Sequence, residues 1–313
     1  MNQNYKKKTL LIGLGSQGKA WAFNLRDSGH SVDVFLRSQS SSHSQAEKLN
    51  LKVFNEENID FKIYDFILIL IPDDHHLNFL TEYRKALEGA NIVYAHGFSV
   101  HYGNIDQKFS ELNHILLAPK AIASEVRYNY ETSSPLAAVL SYEHICHNQS
   151  ETIENVKTLA KDLGVTEILE RSFKEETEAD LFSEQAILCS LIPFGAKIAF
   201  EKMLERGISK ELAYIECWHE VRLIANAMIE KGPKEFFNLI SPNALVGGIQ
   251  AKDKIFSAKV LELLDSLFDD IQSQKFFHDL QNINFQNERK NVINELESHP
   301  LQSVYEEFGR KLK

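Results

Sequence analysis

The chain has 313 residues, which is enough for two domains of roughly 100–200 residues each. Hydrophobic residues make up 43% and charged residues 25%, values typical of a globular protein that is not embedded in a membrane. The formal net charge is −10, so a broad basic surface for nucleic acid is not expected.

The first half of the sequence alternates strand-like and helix-like segments. The apolar run at 66–71 is typical of a central strand that is covered on both faces. This alternation predicts a doubly wound, Rossmann-type α/β domain with a parallel sheet. The predicted strands are 9–12, 31–36, 66–71, 92–95, 115–118 and 137–140, and the first two predicted helices are 17–28 and 43–50.

Helical periodicity dominates after about residue 170, and strand signals nearly vanish. We therefore expect a domain at 1–171 that binds nucleotide and an all-α domain at 172–313. Pro193 should kink or interrupt the first long helix of the second domain. The predicted helical segments of that domain are 174–204, 209–231, 252–271, 285–297 and 301–312.

The chain has three scattered cysteines, Cys146, Cys189 and Cys217, without C-x-x-C spacing, so neither a disulfide framework nor a structural zinc site is expected. The first residues lack the long apolar segment of a signal peptide. No run of ~18 apolar residues could span a membrane. We expect a cytoplasmic protein that has no membrane partner.

A glycine-rich turn follows the first predicted strand and opens the first predicted helix. Its G-x-G-x-x-G pattern is typical of dinucleotide binding, because the turn brings backbone N–H groups and a helix N-terminus to the pyrophosphate. The alternative is a turn whose glycines are needed only for packing. The predicted cofactor-binding residues here are Gly13, Gly15, Ser16, Gln17 and Gly18.

The end of the second strand indicates which dinucleotide binds. NAD-binding proteins usually carry an acidic residue there, which holds the ribose hydroxyls. This chain instead has Arg37, Ser40 and Ser42. The guanidinium and the two hydroxyls can donate hydrogen bonds to a 2′-phosphate, and those from arginine are charge-assisted. The loop predicts NADP(H), and the alternative is an ordinary solvated loop.

Among the carboxylates of the helical half, two pairs with i, i+4 spacing lie among apolar neighbours. Asp180 and Glu184 form the first pair, and Glu216 and Glu220 form the second. Such pairs share a helix face and repel each other unless a cation lies between them. Apolar neighbours surround these acids, although many pairs of this kind are only solvated surface. Beside a dinucleotide site, they suggest a metal-assisted reaction coupled to a redox step.

Together these features resemble the ketol-acid reductoisomerases, also called acetohydroxy acid isomeroreductases, in their short class I form. The resemblance runs from about residue 11 to 310 and depends on an ordered set of motifs. These are Gly-Ser-Gln-Gly at 15–18, Ile-Pro-Asp at 71–73, Ala-His-Gly-Phe at 95–98, Ala-Pro-Lys at 118–120, the acidic stretch 173–185, Tyr-x-Glu-Cys-x-His-Glu at 214–220 and His-Pro at 299–300.

The resemblance implies a role for each matching residue. Asp180 would bridge two Mg²⁺ ions and Glu184 would ligate one of them, while Glu216 and Glu220 would support the site from the partner subunit. The remaining implied site residues are the catalytic His96 and Lys120, the cofactor-binding Pro72 and Asp73, and Ser241 for the substrate carboxylate.

The resemblance also implies a reaction and an assembly. The family moves an alkyl group within a 2-hydroxy-3-keto acid such as 2-acetolactate, in a Mg²⁺-dependent step. It then reduces the product with NADPH to a 2,3-dihydroxy acid, in the biosynthesis of valine and isoleucine. The helical half of the family is knotted and interleaves with a second copy, so a homodimer or a larger homo-oligomer is expected.

The sequence departs from the family pattern at three places near the expected chemistry: 121–124, 190–191 and 242–246. The family has glycines at the first two places, and this chain has larger residues. A divergent but working reductoisomerase is the favoured interpretation. The alternatives are an NADPH-dependent reductase of another small 2-keto or 2-hydroxy acid and a non-enzymatic protein that binds nucleotide.

Overall fold

The computed structural model describes residues 6–312. The chain divides into two compact units, Met1–Thr177 and Glu178–Lys313. The first unit is built on a β-sheet, and the second is helical.

The first unit contains an eight-stranded sheet with the order β3-β2-β1-β4-β5-β6-β7-β8. Neighbouring strands are parallel except for β6 and β7, which run antiparallel. The strand order reverses between β1 and β4, which is where ligands bind in doubly wound folds. The strands are β1 Lys8–Ile12, β2 Ser31–Phe35, β3 Lys52–Phe54, β4 Phe66–Ile69, β5 Asn91–Tyr94, β6 Asn113–Pro119, β7 Ala137–His144 and β8 Glu167–Glu170.

Helices cover both faces of this sheet. Alternate residues of the central strands therefore enter two separate cores: Leu11 and Leu68 pack on one face, and Leu10 and Ile67 on the other. This confirms the predicted Rossmann-type domain. Its helices are α1 Ser16–Asp27, α2 His43–Lys48, α3 His76–Leu87, α4 Phe98–Gly103, α5 Ile105–Lys108, α6 Ala123–Thr132 and α7 Gln149–Leu163.

The sheet differs from the predicted one in two edge strands and in one direction. Strands β3 and β8 were not predicted because they are short and carry charged residues, and β8 is mostly exposed. Strand β7 was expected in a parallel sheet but runs antiparallel to β6. Residue patterns indicate burial and length, but strand direction depends on the path of the connecting chain.

Helix α8, Phe173–Ser183, begins in the first unit, and the rest of the second unit is largely helical, as predicted. Two π-helical segments, Glu184–Leu191 and Ile215–His219, interrupt the long predicted helices. The helices that follow α8 are α9 Ile192–Glu205, α10 Lys210–Tyr214, α11 Glu220–Leu239, α12 Pro242–Ile255, α13 Ala258–Gln272, α14 Lys275–Leu280, α15 Phe285–Glu297 and α16 Pro300–Glu307.

Proline and glycine mark the breaks in these helices. Pro193 lies in the first turn of α9, directly after the first π-helical segment, so the interruption expected near it is a change of helix type. Gly232 has φ 69° and ψ 168° and precedes Pro233, which breaks α11 into two pieces. The predicted segment 209–231 ends at this break.

The second unit has a small core. Its buried apolar cluster consists of Phe200, Ala213, Tyr214, Leu301 and Val304. Helices α11, α12, α14 and α15 contain no buried residue, and large apolar side chains such as Ile229 and Leu239 are exposed on them. Extended apolar surface of this kind is uncommon on monomeric proteins. None of the helices within residues 6–312 is long and apolar enough to cross a membrane.

Candidate functional site

A cavity of about 350 Å³ lies at the carboxyl ends of β1, β2 and β4, beside the reversal of strand order. Parallel strands of this fold present their ligand-binding loops at this edge. Six of the ten residues predicted to bind cofactor line the cavity: Gly13, Gly15, Arg37, Ser40, Ser42 and Pro72.

The three glycines of the first turn are explained by different physical requirements. A Cβ on Gly13 would lie 2.7 Å from Ile71 Cγ2, and a Cβ on Gly18 would lie 2.9 Å from the Gly13 carbonyl oxygen. Packing alone therefore requires both. A Cβ on Gly15 would meet nothing within 4 Å, yet Gly15 lines the cavity. The open space at Gly15 fits a ligand that approaches the backbone where helix α1 begins at Ser16.

The loop after β2 is organised around the Arg37 carbonyl. That oxygen accepts hydrogen bonds from the Ser40 N–H at 2.8 Å and from His43 Nε2 at 3.0 Å. The Ser42 N–H donates to Ser40 Oγ at 3.3 Å. This turn brings one guanidinium and two hydroxyl-bearing residues to the same cavity wall, an arrangement suited to a phosphate.

A second, smaller cavity of about 120 Å³ contains Gln17, Asp73 and His96 among its lining residues, and also His76, which was not predicted. Burial lowers the pKa of His76. Its Nε2–H donates to the Ile71 carbonyl at 2.9 Å, so Nδ1 of the neutral ring accepts from Ser99 Oγ at 2.7 Å. Asp73 Oδ1 accepts from the Ser99 N–H at 3.2 Å, so Asp73 helps to hold this wall.

Lys120 and Glu176 form an ion pair at the end of β6. Strand β6 ends at Pro119, and the next residue, Lys120, donates from Nζ to Glu176 Oε1 at 2.6 Å. The Glu176 side chain is 0% exposed, whereas 32% of the Lys120 side chain is exposed. A buried carboxylate is costly without a partner of opposite charge. The ammonium of Lys120 therefore holds the Glu176 side chain in a fixed orientation.

His96 lies beside the same carboxylate, in the loop after β5. A His96 ring nitrogen and a Glu176 carboxylate oxygen lie within 4.8 Å of each other, which is close enough to share a metal ion. The next residue, Gly97, donates its N–H to Glu176 Oε2 at 3.0 Å. A Cβ on Gly97 would lie 2.9 Å from the Phe173 carbonyl oxygen, so only glycine allows this close approach to helix α8.

Helix α8 carries the acidic residues in a row. Glu176, Asp180 and Glu184 follow one another at intervals of four, so they lie along one helical stripe. Asp180 is in the last turn of α8, and Glu184 begins the π-helical segment. Carboxylate oxygens of this kind are the ligands that Mg²⁺ prefers. The donor set therefore fits the metal that the sequence suggested.

Glu176 is the residue that the sequence interpretation missed. It lies within the acidic stretch 173–185, but the pairing argument began at Asp180. The signal was present, because Glu176 has the same spacing to Asp180 as Asp180 has to Glu184. The burial of Glu176, which the sequence does not report, also distinguishes it from its exposed neighbour Glu175.

The remaining predicted residues lie elsewhere on the helices. Glu216 is in the second π-helical segment, and Glu220 begins α11. Neither belongs to a group of three or more metal-ligating side chains within residues 6–312. Ser241 caps helix α12, where its Oγ accepts from the Ala244 N–H at 3.4 Å. π-Helical turns are frequent at functional sites, and both acidic pairs include a residue of one.

Two of the three departures from the family pattern, at 121–124 and 190–191, are accommodated by local structure. Ala121 and Ala123 pack partly buried against the core, whereas Ile122 between them is 70% exposed. The Ala121 carbonyl accepts a 3.4 Å hydrogen bond from Gln17 Nε2. In the first π-helical segment, Ser190 Oγ donates to the Gln185 carbonyl at 2.5 Å, and so satisfies a helix carbonyl.

Comparison with known proteins agrees with this geometry. Residues 4–168 match the family model described as "Acetohydroxy acid isomeroreductase, NADPH-binding domain", and residues 173–313 match "Ketol-acid reductoisomerase, C-terminal domain". An NADH-preferring ketol-acid reductoisomerase from an uncultured archean superposes with a TM-score of 0.82 at 26% identity. That alignment covers 98% of this chain and 95% of the other.

More distant structures share the fold alone. A semialdehyde dehydrogenase NAD-binding protein from Cupriavidus necator has a TM-score of 0.66 at 14% identity, over 86% of this chain and 99% of its own. A pyrroline carboxylate reductase from Plasmodium falciparum has a TM-score of 0.55 at 14% identity, over 85% and 97%. The two family models together span nearly the whole chain, and the protein therefore belongs to the ketol-acid reductoisomerase family, as an NADPH-dependent oxidoreductase and isomerase.

Proposed function

We propose that the protein converts 2-acetolactate and related 2-hydroxy-3-keto acids to 2,3-dihydroxy acids, in the biosynthesis of valine and isoleucine. The reaction comprises a Mg²⁺-dependent alkyl migration followed by reduction with NADPH. The observation that carries this proposal is the buried Glu176 carboxylate, held by Lys120 beside His96 and one helical turn before Asp180. Buried charges in proteins are paired or coordinate metals, and this carboxylate is placed for both.

Each residue has a defined task in this proposal. Asp180, Glu184 and Glu176 would supply carboxylate oxygens for two Mg²⁺ ions, and the bound metal would polarise the substrate oxygens and favour loss of the hydroxyl proton. Lys120 keeps the Glu176 carboxylate fixed and donates hydrogen bonds at the reacting oxygens. The Ser241 hydroxyl binds the substrate carboxylate. Gly15 and the Arg37 loop hold the cofactor that supplies the hydride.

The proposal includes a second copy of the chain. We assign cofactor binding to residues 1–171, and metal binding, substrate binding and dimerisation through a knotted fold to 172–313. The helices from 220 to 255 and from 275 to 297 have no buried residue in one chain, which supports a partner that covers them. Glu216 and Glu220 would then complete the partner's site. The scattered cysteines support a cytoplasmic location.

Two other functions would use the same cavity. The exposed Ile122, two residues after Lys120, favours a changed substrate, as in a reductase of another small 2-keto acid. A protein that only binds nucleotide would have no use for the carboxylates at 176, 180 and 184. We therefore rank the reductoisomerase first and the altered reductase second.

The deciding experiment is an assay of the purified protein with 2-acetolactate, Mg²⁺ and NADPH. We expect NADPH oxidation at 340 nm, formation of the dihydroxy acid, and loss of both when EDTA removes the metal. Turnover of simple 2-keto acids but not of 2-acetolactate would favour the second function. Nucleotide binding without turnover of either acid would favour the third.

Arg37 should set the preference for the phosphorylated cofactor. We expect Arg37→Ala to raise the Kd for NADPH by about 10- to 100-fold, because a charge-assisted hydrogen bond contributes about 1.5–3 kcal/mol. The Kd for NADH should change by less than about threefold, because it has no 2′-phosphate for the guanidinium to bind. Nucleotide fluorescence titration measures both constants. Lys85→Ala, on α3 but outside the cavity lining, is the matched control. An unchanged ratio of the two constants would contradict the assignment of the loop.

A further inference from the structure

Glu56 is an acidic residue of the cofactor cavity that the sequence interpretation did not identify. It follows strand β3 by two residues and lines the same cavity as Arg37, Ser40 and Ser42. Acidic side chains are unexpected in a cavity wall that must hold a phosphate, so its contacts require an explanation.

The Glu56 carboxylate is bound to the loop after β2. Ser38 Oγ donates to Glu56 Oε2 at 2.8 Å. The Ser38 N–H lies between the two carboxylate oxygens, at 3.3 Å from Oε1 and 3.2 Å from Oε2. Asn55 Nδ2 also donates to Ser38 Oγ, at 3.4 Å. The loop after β3 is thus tied to Ser38, the residue between Arg37 and the rest of the predicted phosphate-binding turn.

The Glu56 carboxylate carries a full negative charge at neutral pH. Its pKa lies below the ordinary value because it accepts a hydrogen bond from its own backbone N–H and another from the Ser38 hydroxyl, and because the positive charge of Arg37 is near. A 2′-phosphate carries a charge of roughly −1.5 to −2 at this pH. The same wall therefore presents Arg37, which attracts that phosphate, and Glu56, which repels it.

We propose that Glu56 is a specificity-determining residue that limits the preference for NADPH over NADH. Its hydrogen bonds hold the loop in shape for either cofactor, and its charge opposes the 2′-phosphate that only NADPH carries. The preference for NADPH over NADH is consequently smaller than Arg37 and the serines alone would give. The inference depends on the cofactor cavity of the NADPH-binding domain and not on which acid is the substrate.

The test separates the charge of Glu56 from its hydrogen bonds. Glu56→Gln keeps a carbonyl oxygen with two lone pairs for Ser38 but removes the negative charge. We expect the Kd for NADPH to fall by about tenfold, the order expected for one charge acting on a phosphate across partly solvated space, and the Kd for NADH to change by less than about twofold. The tenfold gain should shrink as the salt concentration rises from 0.05 to 0.5 M (roughly), because salt screens exposed charges.

Glu57→Gln is the matched control, because this neighbouring acid lies outside the cavity lining. Its Kd for NADPH should stay at the wild-type value. All titrations use the intact protein without acid substrate, so a failure to convert 2-acetolactate does not affect the result. An unchanged Kd for NADH would show that the cavity of the Glu56→Gln variant is still folded. An NADPH Kd that stays constant or rises in Glu56→Gln, with NADH binding intact, would overturn the proposal.

Discussion

Replacement of Asp180 by asparagine is expected to abolish the Mg²⁺-dependent conversion of 2-acetolactate while leaving NADPH binding intact. Asparagine has nearly the same shape but no charge, so it is a poor ligand for a hard cation. The metal contributes several kcal/mol to such a step, and 1.36 kcal/mol is a factor of ten in rate, so turnover should fall by about a thousandfold or more. Steady-state turnover and nucleotide titration measure the two properties separately.

The matched control for this change is Glu175→Gln, on the exposed side of the same helix. It should retain nearly the full rate of the wild type. Loss of NADPH binding in Asp180→Asn would indicate a folding defect and not a metal defect. Retention of more than about a tenth of the wild-type rate would contradict the metal role of Asp180.

A mixed assembly tests whether two chains share the site. Co-expressed Asp180→Asn and Glu220→Gln chains should recover roughly a quarter of the wild-type activity, because about half of the dimers are mixed and one of their two sites is intact. Each variant alone should be inactive. An inactive mixed sample would indicate that Asp180 and Glu220 act from the same chain.

The second large effect is expected at the Lys120–Glu176 pair, and it should be asymmetric. Lys120→Met removes the ammonium from the buried Glu176 carboxylate, and removal of one partner of a buried pair costs about 3–5 kcal/mol. Glu176→Gln should cost only about 1 kcal/mol, because the partly exposed Lys120 ammonium can turn toward water. Urea unfolding of each variant measures the free energies.

The double variant identifies the physical cause of this asymmetry. Lys120→Met combined with Glu176→Gln should be more stable than Lys120→Met alone, because no buried charge is left without a partner. The control is Lys157→Met, which breaks the more exposed pair with Glu170 and should change the free energy of unfolding far less than Lys120→Met does. Equal costs for the two single variants would contradict the burial argument. The Lys120→Met, Glu176→Gln and double variants should all convert 2-acetolactate at a rate lower by about a hundredfold or more.

Short-range sequence patterns were sufficient to place the predicted cofactor residues at one edge of the sheet. The glycine turn at 13–18 and the Arg37 loop each directly follow a strand, so their place at the carboxyl edge of the sheet follows from the strand assignment. The long amphipathic segments after residue 170 likewise predicted a largely helical second unit. These inferences succeed because periodicity and turn chemistry act over a few neighbouring residues.

Only the tertiary structure decided the features that depend on distant residues. Glu176 pairs with Lys120, 56 positions away, and Glu56 pairs with Ser38, 18 positions away. The direction of β7 depends on the path of its connection. Sequence spacing cannot report burial, and burial is what distinguishes Glu176 from Glu175. The sequence by itself therefore determined the family, the cofactor and the acidic helix, whereas the fold determined which carboxylates are held out of water, because long-range packing alone sets solvation.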